Sequence, residues 1–320
     1  MKELNGFDSK QKFQIPTSVY DELKQIAARG QKKYGAWEKV VEELKKNEAE
    51  KYKFYNVVVT GELPEGWEKS LPDFGSEGSL ATRQCSQIVF NSIVPALPNL
   101  IDGSADLTGS NLTLPELTKD FQPESRDGRY IRFGVREHSM TSIGNGFCCY
   151  GGLRAYVATF LIFAGYALGA IRVGALSHLP LLYVLTHDSI GLGEDGSTHQ
   201  PIEVIPLLCA IPNMIFIRPA DGRETSGAYK VAMNSTRSPV SLALIRQKLP
   251  QLEGSTIDSV SKGAYVVYQT NKDKKPDATI VATGSEVEIA IDPAKILSTY
   301  NVRVVSFPTW ELFEKQSQEY

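Results

Sequence analysis

The stretch "LLYVLTHDSIGLGEDGSTHQP", Leu181–Pro201, carries the reading that decides the fold. Leu181–Leu185 is an unbroken apolar run that stops at Thr186-His187-Asp188. A short run without polar alternation suits a strand covered on both faces, as strands of parallel sheets are. Polar residues crowded just past its end suit the carboxyl edge, where open α/β sheets bind their ligands. Beyond that edge Gly191–Gly196 spells GxGxxG, with Glu194 and Asp195 inside it and His187, Asp188 and His199 on either side.

The same grammar extends in both directions. "NLIDGSAD", "YIRFGV", "RAYVATF", "MIFIRPAD" and "VSLALIRQ" read as further strands ending in polar or charged residues. Between them "ATRQCSQIVFNSIV", "EHSMTSIGNGFCCYGG", "FAGYALGAIRVGALSH" and "ETSGAYKVAMNST" read as helices. Strands alternating with helices predict a doubly wound parallel α/β sheet over residues 76–252. Asp106, Glu137, His187 and Arg246 then all fall at carboxyl ends of strands. After it, "GAYVVYQ", "ATIVATGS" and "NVRVVSFP" begin a second α/β unit, residues 253–320, which looks incomplete at three strands. Residues 1–75 differ: two charged helical stretches, "TSVYDELKQIAARG" and "AWEKVVEELKKNEAEKY", lead into a Pro- and Gly-rich extended segment. The second helix carries one narrow apolar stripe, Trp37, Val40, Val41 and Leu44. This part reads as a linker.

Composition narrows the function classes. The 320 residues carry a net charge of −3, which offers no field favouring nucleic acid or an anionic membrane. No apolar run approaches the length of a membrane span, and the N-terminus lacks a signal-peptide core. Four cysteines without CxxC spacing read as reduced thiols in a cytoplasmic protein.

The glycine loop admits three readings. A dinucleotide loop brings phosphate against glycine amides and a helix N-terminus. Here Glu194 and Asp195 would repel phosphate, and "STHQPIE" does not open as a helix. A metal is the second reading, but His187 and His199 are not spaced to share a helix face, and no metal ligand set is assigned. A polar, sugar-like ligand is the third, and a rim of histidines and acids would suit it. Glu137, at a strand-to-helix junction, is either a helix-end acid or a desolvated carboxyl able to exchange a proton with a heterocycle. Phe160, Phe163 and Tyr166 recur every three residues, as core or as a wall for a flat ring.

Taken together, "GSADLTGSN", "GRYIRFGVREHSM", "TFLIFAGYALGAIR", "THDSIGLGEDGSTHQPIE", "RPADG" and "LIRQKLPQLEGS" resemble, in wording and order, the transketolases, a thiamine-diphosphate-dependent family. The resemblance covers the whole chain: the family's linker, its pyrimidine-binding middle domain and the first part of its C-terminal domain. It implies transfer of a two-carbon ketol unit from a ketose phosphate to an aldose phosphate, with the cofactor as electron sink. It implies that Glu137 hydrogen-bonds the aminopyrimidine and drives its proton exchange, and that Phe160, Phe163 and Tyr166 wall that ring. By the same resemblance Asp106 contacts the cofactor. Arg83, Ser110, His187 and Arg246 grip the sugar phosphate, while Asp195 and His199 meet substrate hydroxyls, His199 also acting in catalysis. The glycine loop then reads a sugar, and its GxGxxG is incidental.

Several features depart from the family. Its first domain, which holds the diphosphate and a divalent Mg or Ca ion, is expected to lie outside these residues, since no GDG…N element occurs. The C-terminal domain is expected to stop halfway, Pro293 sits where the family has a helix, Ser197 replaces a proline and Phe133 a tyrosine. The expected partners are therefore sugar phosphates and either a second copy of the chain or a chain carrying the diphosphate-binding domain. The alternatives are an inactive truncated fragment, a non-catalytic protein that modulates a full-length transketolase, and a dihydroxyacetone synthase-like enzyme.

Overall fold

A computed structural model describes residues 1–297 and 299–320, in two units, Met1–Asn56 and Val57–Tyr320. The first unit holds α1 (Thr17–Asn47) and most of α2 (Ala49–Thr60). Where the sequence suggested two helices separated near Gly30 and Gly35, α1 runs straight through both. A helix-interior glycine costs only about 1 kcal/mol, which the flanking Ala, Gln and Lys residues outweigh. The break comes instead at Glu48, whose φ of −140° leaves the helix. No residue of α1 is buried. Trp37 and Val40 of the apolar stripe are exposed, and Val41 and Leu44 half-buried.

The segment expected to be extended folds into two single turns, Trp67–Ser70 and Phe74–Ser76, whose Trp67 and Phe74 side chains are buried. From there the chain builds α3 (Thr82–Ile93), β1 (Leu100–Ser104), α4 (Thr108–Asn111), β2 (Tyr130–Arg132), α5 (Glu137–Tyr150) and β3 (Arg154–Phe160). It continues through α6 (Ala164–Leu176), β4 (Leu182–Thr186), α7 (Val204–Cys209), β5 (Ile215–Ile217), α8 (Gly222–Asn234) and β6 (Val240–Leu244). The six strands form one sheet in the order β2-β1-β3-β4-β6-β5, and every pairing is parallel.

Both faces are covered, which is why β4 reads as an unbroken apolar run. On one face Leu182 and Val184 of β4 join Val89 and Phe90 of α3 and Tyr229 of α8. On the other, Tyr183 and Leu185 meet Met140 of α5, Ile171 of α6 and Leu208 of α7. Phe90 stacks on Tyr156 at 4.1 Å between centroids and meets Tyr229 edge-on at 4.9 Å. The switch in strand order falls between β1 and β3, so their carboxyl ends open the crevice in which such sheets bind ligands.

The smaller sheet contains β7 (Tyr265–Gln269), β8 (Ala278–Ala282) and β9 (Val302–Ser306), with α9 (Glu286–Ile296) and α10 (Trp310–Phe313). It is mixed rather than wholly parallel: β9 is parallel to β8 but antiparallel to β7. Val287, Ala290, Ile291 and Ala294 of α9 cover one face over Val302 and Val304. The other face leaves Val266 and Val281 exposed. Pro293 lies inside α9 instead of ending it. The carbonyl it deprives of a donor belongs to Ile289, on the exposed side of the helix, where water can replace the lost bond.

Candidate functional site

The expected site residues sit where the strand ends place them. Phe160 closes β3, Phe163 ends the single turn Leu161–Phe163 after it, and Tyr166 lies in the first turn of α6. The Phe160 and Phe163 rings are near-parallel, 11° apart in plane and 5.6 Å between centroids. His199 meets Phe163 edge-on at 5.1 Å and Phe160 at 5.8 Å, and the His187 ring lies 3.8 Å from Phe160. Tyr166 extends the row at 6.0 Å from Phe163, with most of its side chain in solvent. Two aromatic rings and two imidazoles from separate loops therefore form one wall.

Beside the wall stand two guanidiniums. Arg83, in the first turn of α3, donates from Nη1 to the carbonyl of Ser110 at 2.6 Å. Thr82 receives the Ile245 N–H on its hydroxyl at 2.8 Å, which ties the start of α3 to the chain leaving β6 and so to Arg246. Burial lowers the Arg83 pKa and the Arg246 charge lowers it further, so the two cations feel each other. Such a pair is unfavourable until an anion comes between them, and forked guanidiniums match a phosphate dianion. Arg246 bonds the Leu192 carbonyl and stands 3.7 Å from the exposed Glu194 carboxylate, so the glycine loop lies against it. That loop, Gly191–Gly196, opens no helix; the next one, α7, starts at Val204. Its geometry is not that of a dinucleotide loop.

His187 is buried at the end of β4. Its pKa falls to about 4, first through burial, then through the charges of Arg83 and Arg246, with Asp195 opposing. The imidazole is therefore neutral near pH 7 and works by hydrogen bonding. Its Nδ1 lies 2.8 Å from the Thr186 hydroxyl. Its φ of +61° is left-handed, a conformation a histidine holds only when its surroundings enforce it.

Glu137 is the first residue of α5 and is 8% exposed. Among the described residues no hydrogen bond or ion pair reaches its carboxylate. Asp106, past β1, is exposed, with a left-handed φ of +62°. Both stand at neighbouring strand ends, after β1 and β2. The outward faces of α5 and α6 leave Ile143, Tyr150, Val173 and Leu176 exposed. Among the described residues no group of three or more His, Cys, Asp and Glu could hold a metal ion, and no helix is long and apolar enough to cross a membrane.

Sequence reasoning did not find the partner of Asp188. Arg218, at the end of β5, donates from Nε to Asp188 Oδ2 at 2.7 Å, and both side chains are buried. "RPADG" contained the residue, but nothing in a linear pattern says that the chains leaving β4 and β5, with β6 between them, bring Asp188 and Arg218 into contact.

Known proteins share this fold and its sequence. The family model described as the transketolase pyrimidine binding domain matches residues 78–251, and the transketolase-like C-terminal domain matches 263–320. Residues 1–64, read from the sequence as linker, match the transketolase thiamine diphosphate binding domain. Transketolase 2 of Saccharomyces cerevisiae is 50% identical over all of this chain and 48% of its own length. A probable transketolase of Schizosaccharomyces pombe is 47% identical with the same coverage. A Pichia stipitis transketolase solved in complex with sedoheptulose-7-phosphate superposes with a TM-score of 0.92 at 46% identity, covering 100% of this chain and 48% of that one. A split gene transketolase, solved as an inactive beta4 tetramer, superposes with a TM-score of 0.59 at 26% identity over 72% of each chain. The chain thus spans about half the length of the curated relatives it matches. By its middle domain, its C-terminal match and its fold, the chain belongs to the transketolase family.

Proposed function

We propose that this chain supplies the aminopyrimidine and sugar-phosphate side of a transketolase site, transferring a two-carbon ketol unit between sugar phosphates. The observation that carries the reading is the meeting of Arg83 and Arg246 beside the His187, His199, Phe160 and Phe163 wall, at the carboxyl ends of a parallel sheet. Thiamine diphosphate, when bound, supplies the carbon nucleophile and electron sink for cleaving the ketose.

The residues present fit that cofactor. Among the described residues no group pairs with the buried Glu137 carboxylate, as suits a group reserved for a ring nitrogen. Glu137 holds and moves the proton at that nitrogen, Phe160, Phe163 and Tyr166 wall the ring, and Asp106 orients the cofactor from the β1 end. Arg83 and Arg246 bind the phosphate with Ser110 and His187. Asp195 and His199 face the sugar hydroxyls, and His199 exchanges protons with them. The neutral His187 adds a hydrogen bond without a further positive charge.

The diphosphate and its Mg or Ca ion belong to a domain that these residues do not complete. The exposed apolar residues on α5 and α6 suit cover by a second copy or by a chain carrying that domain. The four free thiols fit a cytoplasmic setting.

Calorimetric titration with fructose 6-phosphate and with fructose tests the reading. Arg246→Ala should weaken binding of the phosphate ester by about tenfold or more while fructose binding barely changes. Equal losses on both ligands would remove Arg246 from the phosphate site.

A further inference from the structure

Arg218 is 7% exposed, yet it belongs to none of the groups that would touch sugar or cofactor. It is held from two sides. Toward the large sheet its Nε donates to Asp188 at 2.7 Å. Toward the small sheet its Nη1 donates to the Thr283 carbonyl at 3.0 Å and bonds the Glu286 carboxylate, while Nη2 lies 3.4 Å from the Ser285 hydroxyl. Gly284 completes the cradle: a Cβ there would come within 2.8 Å of the guanidinium carbon, and its φ of +58° is left-handed. The turn Thr283–Glu286 is thus shaped around this one side chain.

What Arg218 grips adjoins the substrate wall. Asp188 directly follows His187, and its Oδ1 has no hydrogen-bond partner among the described residues. Arg218 is the charge that compensates this buried carboxylate. Without it Asp188 would be an unpaired buried charge, which a protein relieves by turning the carboxylate out or neutralising it. Either relief disturbs the neighbouring residue, and His187 already sits in a backbone conformation that needs enforcement.

We propose that Arg218 is a positioning residue: through Asp188 it fixes the His187 turn, and through Thr283, Ser285 and Glu286 it makes the small sheet a support for the sugar-phosphate end of the site. This rests on the sugar-phosphate reading of His187, but the clamp itself can be tested without any ligand. The chain has only four histidines, so the imidazole signal of His187 can be followed by NMR in the whole protein at pH 7, with the nitrogen shifts reporting its tautomer.

Arg218→Lys keeps the charge but loses the fork that reaches both sides. It should move the His187 signal and weaken fructose 6-phosphate binding on the order of 10-fold to 100-fold, the size of effect that misplacement by up to about 1 Å produces. Glu286→Gln changes a half-exposed partner and leaves the core intact, so it should move the same signal in the same direction by less. It decides the matter should Arg218→Lys fail to fold. A merely structural Arg218 would lower the melting temperature and leave the His187 signal superimposed on wild type in the folded variants, which would overturn the proposal. A moved His187 signal in a protein that binds no sugar phosphate would keep the clamp and reject the function assigned to the site.

Discussion

The two sheets of the larger unit are built on opposite terms. Every residue of β4 is buried, and helices lie on both faces of its sheet. No residue of β8 is buried, and α9 covers only one face of its sheet. A strand covered on both faces has a fixed register and a stiff end, and groups just past such an end are held to fractions of an ångström. His187 follows β4, Phe160 closes its neighbour β3, and Arg246 follows β6 on its other side. The small sheet carries none of the wall and meets the site through the Thr283–Glu286 turn. Rigidity and chemistry are concentrated in one sheet, and the other meets it through Arg218 and through Glu224, which receives Tyr265 of β7 and Ser306 of β9.

That contrast can be broken by mutation. Phe90→Ala removes a ring packed between Tyr156 and Tyr229 and should cost about 3–5 kcal/mol in urea unfolding. Val281→Ala, on the open face of β8, should cost less than about 0.5 kcal/mol. Similar costs for both would mean that the open face is covered in solution.

The pH dependence of stability sharpens the comparison. His187 titrates near 6.5 in the unfolded chain and at about 4 in the native one. Between those values the unfolded chain binds more protons. The stabilisation from keeping His187 neutral is therefore complete above pH 6.5 and is lost as the pH falls toward 4. His187→Gln should flatten the stability curve in that window, and an unchanged slope would assign the dependence to other groups.

The smallest expected gain is in the small sheet. Pro293→Ala returns a donor to the Ile289 carbonyl and should stabilise the unit by about 1 kcal/mol. A loss on that substitution would show that the proline shapes α9 rather than burdening it.

The sequence made the large sheet legible because burial on both faces writes itself as continuous apolar runs. Several of the six strands follow from that signal; the others, such as Leu100–Ser104 and Tyr130–Arg132, follow from their place in the alternation of strands and helices. The sequence also put Asp106, Glu137, His187, Arg246 and the aromatic row at strand ends, while Arg83 is picked out only by the family resemblance. What stayed hidden has physical reasons. Gly30 and Gly35 look like a helix boundary, but their small cost is overruled by the propensities around them. The one-turn helix α4 and the six-residue α7 are too short to show a period. Whether β7 runs parallel or antiparallel leaves no mark on a half-covered strand. The Asp188–Arg218 pair joins residues 30 positions apart, and only the strand order brings them together.

The most direct test of the account is ketol transfer by the complex purified from its source through this chain, supplied with thiamine diphosphate and Mg, with and without Glu137→Ala. The account predicts transfer from a ketose phosphate to an aldose phosphate in the wild type. It predicts a loss of at least about 100-fold in the variant, at unchanged melting temperature, because the role of Glu137 is proton movement. Activity within tenfold of wild type in the Glu137→Ala complex would contradict it.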